Sequence, residues 1–474
     1  MLDRPDIGIH DNFFDAGGNS LRSLQLISRI STRLNLKVPV KQLFVHPTAA
    51  ELAAAITREK PAATPIPPPG EAPVRSPALT VERTPLFSLF HSGRIGPVDS
   101  AAIICLPDAL MGQVGLEKAA IVEAFCKNRP VVSSITDTCV GRVASIVLPR
   151  FASELFSDQQ SLRGQVTEAL ELAGRIGADT VSLTGNLPLA TDFGFDVEGH
   201  RAADNRGPSV TTGQATVAAA MAMTVEKILK LSGRRLGGET VGLVGLNTIG
   251  AASLSLMLAC LPHPKRIILA DAYNNLLVAA VLSREFSDSG FGGEVEILRA
   301  SDRLPDSFYE ASLIIAATNV PEIVEVERVR PGTIIVEESG QCCFSRDGAV
   351  RRIEQEADAL FAEGDRLRMP SPATCLMYLP EEAEIALERA QAIALLAFDP
   401  QGMTGCVLSG LLSHRYASLM PTIGEVDGET CLRHYRLLNQ LGFSVKDLYC
   451  DRYTIGADAV RRFRERFGAE VVVT

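Results

Sequence analysis

Glu239-Thr-Val-Gly-Leu-Val-Gly245-Leu-Asn247-Thr248-Ile-Gly250 reads as a strand, a tight turn and the start of a helix. Gly245 and Gly250 keep the outer spacing of a GxGxxG turn, with Asn247 standing where the second glycine would lie. Such a match is weak alone. It is much stronger between a predicted strand and helix, with an acidic residue closing the next strand. That next strand is Arg266-Ile-Ile-Leu-Ala-Asp271. Gly245 makes the turn, Gly250 permits close helix packing, and the helix amino terminus offers donors to a pyrophosphate. Asn247 tolerates left-handed backbone, which partly excuses the swap. Gly245, Asn247, Thr248, Gly250 and Asp271 are thus the predicted contacts of a nicotinamide dinucleotide. A carboxylate at Asp271 bonds the ribose hydroxyls and repels a 2′-phosphate, which favours NADH over NADPH. The plain alternative is a structural turn with no ligand.

Outward from this stretch, predicted strands at 294–298, 312–317 and 333–337 continue the doubly wound cadence of a Rossmann domain, assigned to 211–370. Before it, 83–210 reads as a separate α/β domain. Its strands lie at 101–106 and 130–135, and Ser157 is the expected cap of a helix through Leu162, Val166, Ala169 and Ala173. A strand at 180–184 then ends in the turn Gly185-Asn186-Leu-Pro188, where open parallel sheets carry binding groups. A helix follows Thr211-Thr212-Gly213-Gln214. After about 370 strands are expected to stop, leaving a helical region, 371–474, with helices at 381–396, 404–416 and 429–441.

The amino end differs. Asp11-Asn-Phe-Phe-Asp-Ala-Gly-Gly-Asn-Ser20-Leu places a serine after a glycine pair at a helix start. The glycines open the turn. Leu21, Leu24, Ile27, Ile30 and Leu34 follow at roughly helical spacing. Thr48-Ala-Ala-Glu51 reads as a capping box for a last short helix. These residues resemble a peptidyl or acyl carrier domain over 1–59. The resemblance implies 4′-phosphopantetheine on Ser20, a phosphopantetheinyl transferase as modifying partner, and upstream assembly-line modules that deliver an acyl or peptidyl thioester. Carrier domains begin with a further helix that this stretch lacks, so the chain is expected to be cut from a longer enzyme. Residues 60–82 hold seven of the 27 prolines and read as an extended linker.

Composition bounds the rest. At 474 residues the chain suits about three domains. Its 46% hydrophobic content is ample for large cores, and a net charge of -10 argues against nucleic acid. No apolar run reaches membrane-spanning length and no signal-peptide pattern opens the chain, so a cytoplasmic location with no membrane partner is expected. The ten cysteines are scattered without metal-type spacing, so no metal is expected.

Cys406 is the best candidate thiol. Gly402 and Gly405 flank a polar turn, and Leu408, Leu411 and Leu412 follow on the next helix. A cysteine at a helix amino terminus is expected to have a lowered pKa. His414 lies too far along that helix to reach it. The chain from 83 to 474 also resembles the long-chain acyl-(acyl-carrier-protein) reductases. The likeness runs through Leu148-Pro-Arg-Phe, Ala169 to Thr180, Thr211-Thr-Gly-Gln-Ala, Gly245 to Gly250, Met403-Thr-Gly-Cys406-Val and Leu441-Gly-Phe443. It implies a substrate-binding α/β domain at 83–210, a Rossmann domain, and Cys406 as the nucleophile that takes an acyl group from a carrier. Hydride from NADH or NADPH would then release an aldehyde, with Asn186 and Thr212 as candidate oxyanion donors. The shorter glycine turn with Asn247, together with Asp271, departs from that family and leaves the cofactor choice open. Alternatives are direct reduction of the carrier thioester without a covalent step, on to an alcohol, or a dehydrogenase acting on a free small metabolite. A further alternative is a degenerate domain that only holds the carrier. A short-chain dehydrogenase is disfavoured, since none of the seven tyrosines has lysine four residues on.

Overall fold

The computed structural model describes residues 8–13, 26, 30, 43, 46–58, 78–108, 110, 117–197, 207–271, 276–300, 303–338, 342–386, 398–445, 447–450 and 453–468. Ser20 and most of the helix predicted after it lie outside the described residues. So does the linker between 59 and 77. One half of the expected capping box is present at the helix Ala49–Arg58, where the two side chains also bond each other. Glu51 N–H donates to Thr48 Oγ1 at 3.2 Å, and the Thr48 hydroxyl donates to the Glu51 carboxylate at 3.0 Å.

The first layer opens with β1 (Leu79–Glu82), β2 (Ser100–Leu106), β3 (Val131–Thr138), β4 (Gly141–Phe151), β5 (Thr180–Leu183) and β6 (Ser209–Thr211). The helix Gln159–Arg175 covers this layer, and its cap is Asp158 rather than Ser157, accepting from Ser161 N–H. A carboxylate one residue later reaches the free N–H groups of the first turn, so the boundary moves by one position.

The second layer comprises β7 (Thr240–Val244), β8 (Arg266–Asp271), β9 (Glu294–Arg299), β10 (Leu313–Ala316), β11 (Thr333–Glu337) and β12 (Ala359–Glu363). Its order is β12-β11-β10-β7-β8-β9, and every pairing is parallel. Counted from β7, this is the 3-2-1-4-5-6 order of a Rossmann domain, with its switch point between β7 and β10. The chain is therefore a mixed α/β protein with a Rossmann-type parallel sheet, as its strand pattern predicts.

Strands continue past 370, contrary to expectation. After β13 (Arg366–Arg368), β14 (Thr374–Tyr378) returns to the first layer, giving the order β1-β14-β3-β4-β2-β5-β6. It pairs parallel with β1 and antiparallel with β3. Partners so far upstream leave no local mark on a five-residue run. β15 (Gly402–Thr404) and β16 (Ser444–Val445) flank β13 in a small antiparallel sheet.

The helix Gln214–Leu231 joins the layers. Fourteen of its eighteen residues are buried. It packs against the helices Thr248–Cys260, Gly405–Arg415 and Gly428–Gln440. Its alanines let these backbones approach, and a helix buried all round belongs in the middle of a large core.

Candidate active site

The nucleotide turn stands at the switch point. Gly245 has φ +91, and a Cβ there would lie 2.0 Å from Ala317 O at the end of β10. A Cβ on Gly250 would meet Gly245 O at 2.3 Å. Both glycines are thus required by the close approach of backbone. Asn247 is not left-handed: its φ of -77 and ψ of 176 are extended. It caps the helix Thr248–Cys260, accepting from Gly250 N–H at 3.0 Å, while its amide donates to Ala317 O at 2.7 Å. The side chain bridges the two halves of the sheet, which is a better reason for asparagine than backbone freedom. Thr248 opens the helix, and the cradle fits a pyrophosphate. Asp271 ends β8 and pairs in register with Arg299, a cation that spacing along the sequence does not reveal.

Cys406 lies in the first turn of the helix Gly405–Arg415, which crosses the first layer. Thr180 Oγ1 donates to Gly410 O at 2.7 Å, and Gly410 N–H donates to Ser182 Oγ at 3.0 Å. A Cβ at Gly410 would sit 2.3 Å from Ser100 Oγ, so only glycine admits this contact. At the far end, His414 pairs with Asp179 at 3.1 Å and Asp99 at 3.6 Å. Those aspartates precede the amino ends of β2 and β5, whereas Cys406 meets Gly185 beyond the carboxyl end of β5. His414 therefore has no part near the thiol.

Three segments converge on Cys406. Thr404 Oγ1 lies 3.3 Å from its sulfur, and the Gly185 N–H also bonds to it. Gly213, at φ +74, presses against it: a Cβ there would be 2.7 Å from Cys406 Cα. Asn186, beside Gly185, caps the four-residue helix Leu187–Ala190 without using its side chain. Among the described residues its side-chain amide makes no hydrogen bond. Thr212 is not so placed, because its N–H and its hydroxyl both donate to Thr422 O, at 2.8 and 3.2 Å. Its expected role as an oxyanion donor is corrected accordingly. Gln214, two residues further on, is buried with its amide oxygen unpartnered among the described residues.

The thiol is not acidified. Burial, with Asp365 and Glu338 nearby, pushes Cys406 up to about 11, against the pull of the Thr404 and Gly185 hydrogen bonds. Part of the residue's surface is accessible, but protein surrounds the sulfur closely, and desolvation disfavours the thiolate more than the helix terminus favours it. Glu338 is raised to about 8 by burial and by Asp365 and Glu337. These carboxyls had no motif to announce them; they are found only by following which turns end on the same sheet edge.

A groove of about 300 Å³ lined by Pro85, Phe87, Val131, Glu168 and Arg175 contains none of these residues. Among the described residues no cluster of three His, Cys, Asp or Glu side chains suits a metal, and no helix is long and apolar enough to cross a membrane.

Residues 1–56 match the phosphopantetheine attachment site family. The chain opens with a phosphopantetheine carrier domain. Tyrocidine synthase 3 of Brevibacillus parabrevis is 45% identical over 60 residues, 13% of this chain and 1% of that protein. Nonribosomal peptide synthetase kk1B of Curvularia clavata is 48% identical over 124 residues, 25% of this chain and 1% of that one. The chain thus spans about 1% of the length of these curated relatives. Among solved structures, L-tryptophan dehydrogenase from Nostoc punctiforme overlaps 78% of this chain and 87% of its own, at 12% identity and TM-score 0.32. A likeness that loose carries no argument.

Proposed function

We propose that the chain is a terminal thioester reductase of an assembly line, releasing the acyl or peptidyl group held on its carrier as an aldehyde. The observation that carries this reading is the position of Cys406. Asp271 and β8–β9 form the half of the Rossmann sheet that takes adenosine, so a nicotinamide belongs over β10–β12. Glu338, which follows β11, and Asp365, after β12, both act on Cys406. A reactive sulfur on that side faces the redox end of the cofactor.

In this reading Gly245, Asn247, Thr248 and Gly250 hold the dinucleotide and Asp271 its ribose, with NADH preferred. When bound, the nicotinamide supplies hydride. Cys406 takes the acyl group from the carrier, and its own backbone N–H at the helix start and the Asn186 amide steady the oxyanion. Gly185 and Thr404 hold the sulfur in place. The thioester on Ser20, the phosphopantetheinyl transferase and the upstream modules are partners of this reading. The test is release of product from loaded chain with NADH or NADPH: aldehyde is expected from the parent and none above background from Cys406→Ala. Full aldehyde output from Cys406→Ala would leave direct reduction of the carrier thioester.

A further inference from the structure

Attack by Cys406 requires somewhere for its proton to go. The charged groups that act most strongly on it among the described residues are two carboxyls, Asp365 and Glu338, and Arg366 acts in turn on Asp365. Glu338 follows the last residue of β11, and Asp365 lies two residues past β12. Those strands are neighbours, with Glu337 opposite Glu363 and Gly364 N–H donating to Glu337 O at 2.7 Å. Turns leaving adjacent strands stand about 5 Å apart. The Asp365 turn is also fastened to the cysteine: its carbonyl accepts from Gly405 N–H at 3.0 Å, and Arg366 stands opposite Thr404 in the β13–β15 pair. Thiol, hydroxyl and both carboxyls therefore gather at one corner of the Rossmann sheet. Glu337 itself is occupied elsewhere, accepting from Cys343 N–H at 2.9 Å and the Cys342 thiol at 3.1 Å.

We propose that Glu338 and Asp365 share one proton and together serve as the proton relay of Cys406. The proposal rests on reading Cys406 as the nucleophile. As Sγ bonds to the thioester carbonyl carbon, the S–H bond breaks and the ionised member of the pair takes the proton. When the tetrahedral adduct collapses, the bond to the pantetheine sulfur breaks and that sulfur takes a proton from the pair. The transfer ends with the pair again holding one proton and no change in oxidation state. Two neighbouring, partly buried carboxyls cannot both ionise readily, which is how such a pair keeps its proton at neutral pH. The elevation of Glu338 and of Asp365 by burial agrees with that state. A base of this kind answers the thiol's own reluctance to ionise.

The test uses the full chain with an octanoyl thioester loaded on its carrier, without nicotinamide cofactor, and two readouts on the Cys406 peptide. Acyl transfer onto Cys406 is expected to slow by about 100-fold or more in Glu338→Gln and in Asp365→Asn, the range of general acid–base catalysis, with Glu338→Asp retaining most of the rate. Alkylation of Cys406 by iodoacetamide, which needs only thiolate, is expected to be as fast or faster in the two amide variants. Wild-type acylation in both amide variants overturns the proposal, as does parallel loss of acylation and alkylation, which marks a structural role. Failure of the parent chain to acylate Cys406 instead removes the nucleophile reading and the relay with it.

Discussion

Gly213 and Cys406 meet with no room for a methyl group. A Cβ at Gly213 would press on Cys406 backbone, and its φ of +74 is unfavourable for any other residue. Gly213→Ala is expected to destabilise by about 1–3 kcal/mol through strain and overpacking. Aldehyde output should fall about 100-fold from displacement of the sulfur, read by single-turnover release alongside thermal unfolding. The sequence marks Thr211-Thr-Gly-Gln as a motif but not its reason, since the cysteine it faces is far along the chain. Asn247 teaches the same lesson. The spacing of the turn is legible, but its bridge to Ala317 depends on a strand outside the motif. At Asp271 the register adds Arg299. Asp271→Ala is expected to shift the preference toward NADPH by about ten- to a hundredfold, the worth of a charge-assisted hydrogen bond, and paired kinetics with the two cofactors measure it. The raised thiol makes a further claim. With a pKa of about 11, alkylation of Cys406 should climb about tenfold per pH unit from 7 to 10 without levelling.

Elements were legible where their pattern is local. β8 and β11 fall on their predicted bounds, and the helix Gln214–Leu231 follows its glycine turn. β4 escapes because Pro149 argues against a central strand. It is accommodated where the β2–β4 register slips: Cys105 faces Leu148 and Leu106 faces Phe151. Two buried features set stability at this scale. Arg234 and Glu239 form an ion pair at 11% and 3% side-chain exposure, and the Ser312 hydroxyl donates to the same carboxylate at 2.6 Å. The network ties the amino ends of β7 and β10, so Arg234→Ala should cost about 3–5 kcal/mol by leaving a buried carboxylate without its cation, as chemical denaturation would show. His434 is buried on the helix Gly428–Gln440, with Nδ1 2.9 Å from Thr216 Oγ1, and burial lowers it to about 4. Its folded pKa is below the unfolded value of about 6.5. The unfolded chain therefore binds the extra proton first, and stability is lost as pH falls from about 6.5 to about 4. His434→Gln should flatten that part of the stability–pH curve.

At the scale of the molecule, the doubly wound character of the second sheet could be read in advance, but its edge strand β12 and the return of β14 to the first sheet could not. Packing of the helix Gly405–Arg415 on β5 and on the helix Gln214–Leu231 brings β5, the Gly213 turn and Cys406 to one corner. The carrier domain supplies the substrate in this account, and Ser20→Ala is expected to abolish phosphopantetheine attachment, seen as loss of the mass increase with a transferase and coenzyme A. The central claim is a covalent relay from that carrier to Cys406. Its most direct measurement is peptide mass spectrometry of acyl-loaded chain held without cofactor and then given NADH or NADPH. The account predicts an acyl adduct on the Cys406 peptide that disappears as aldehyde forms. Aldehyde formed at the full rate with Cys406 never acylated would contradict it.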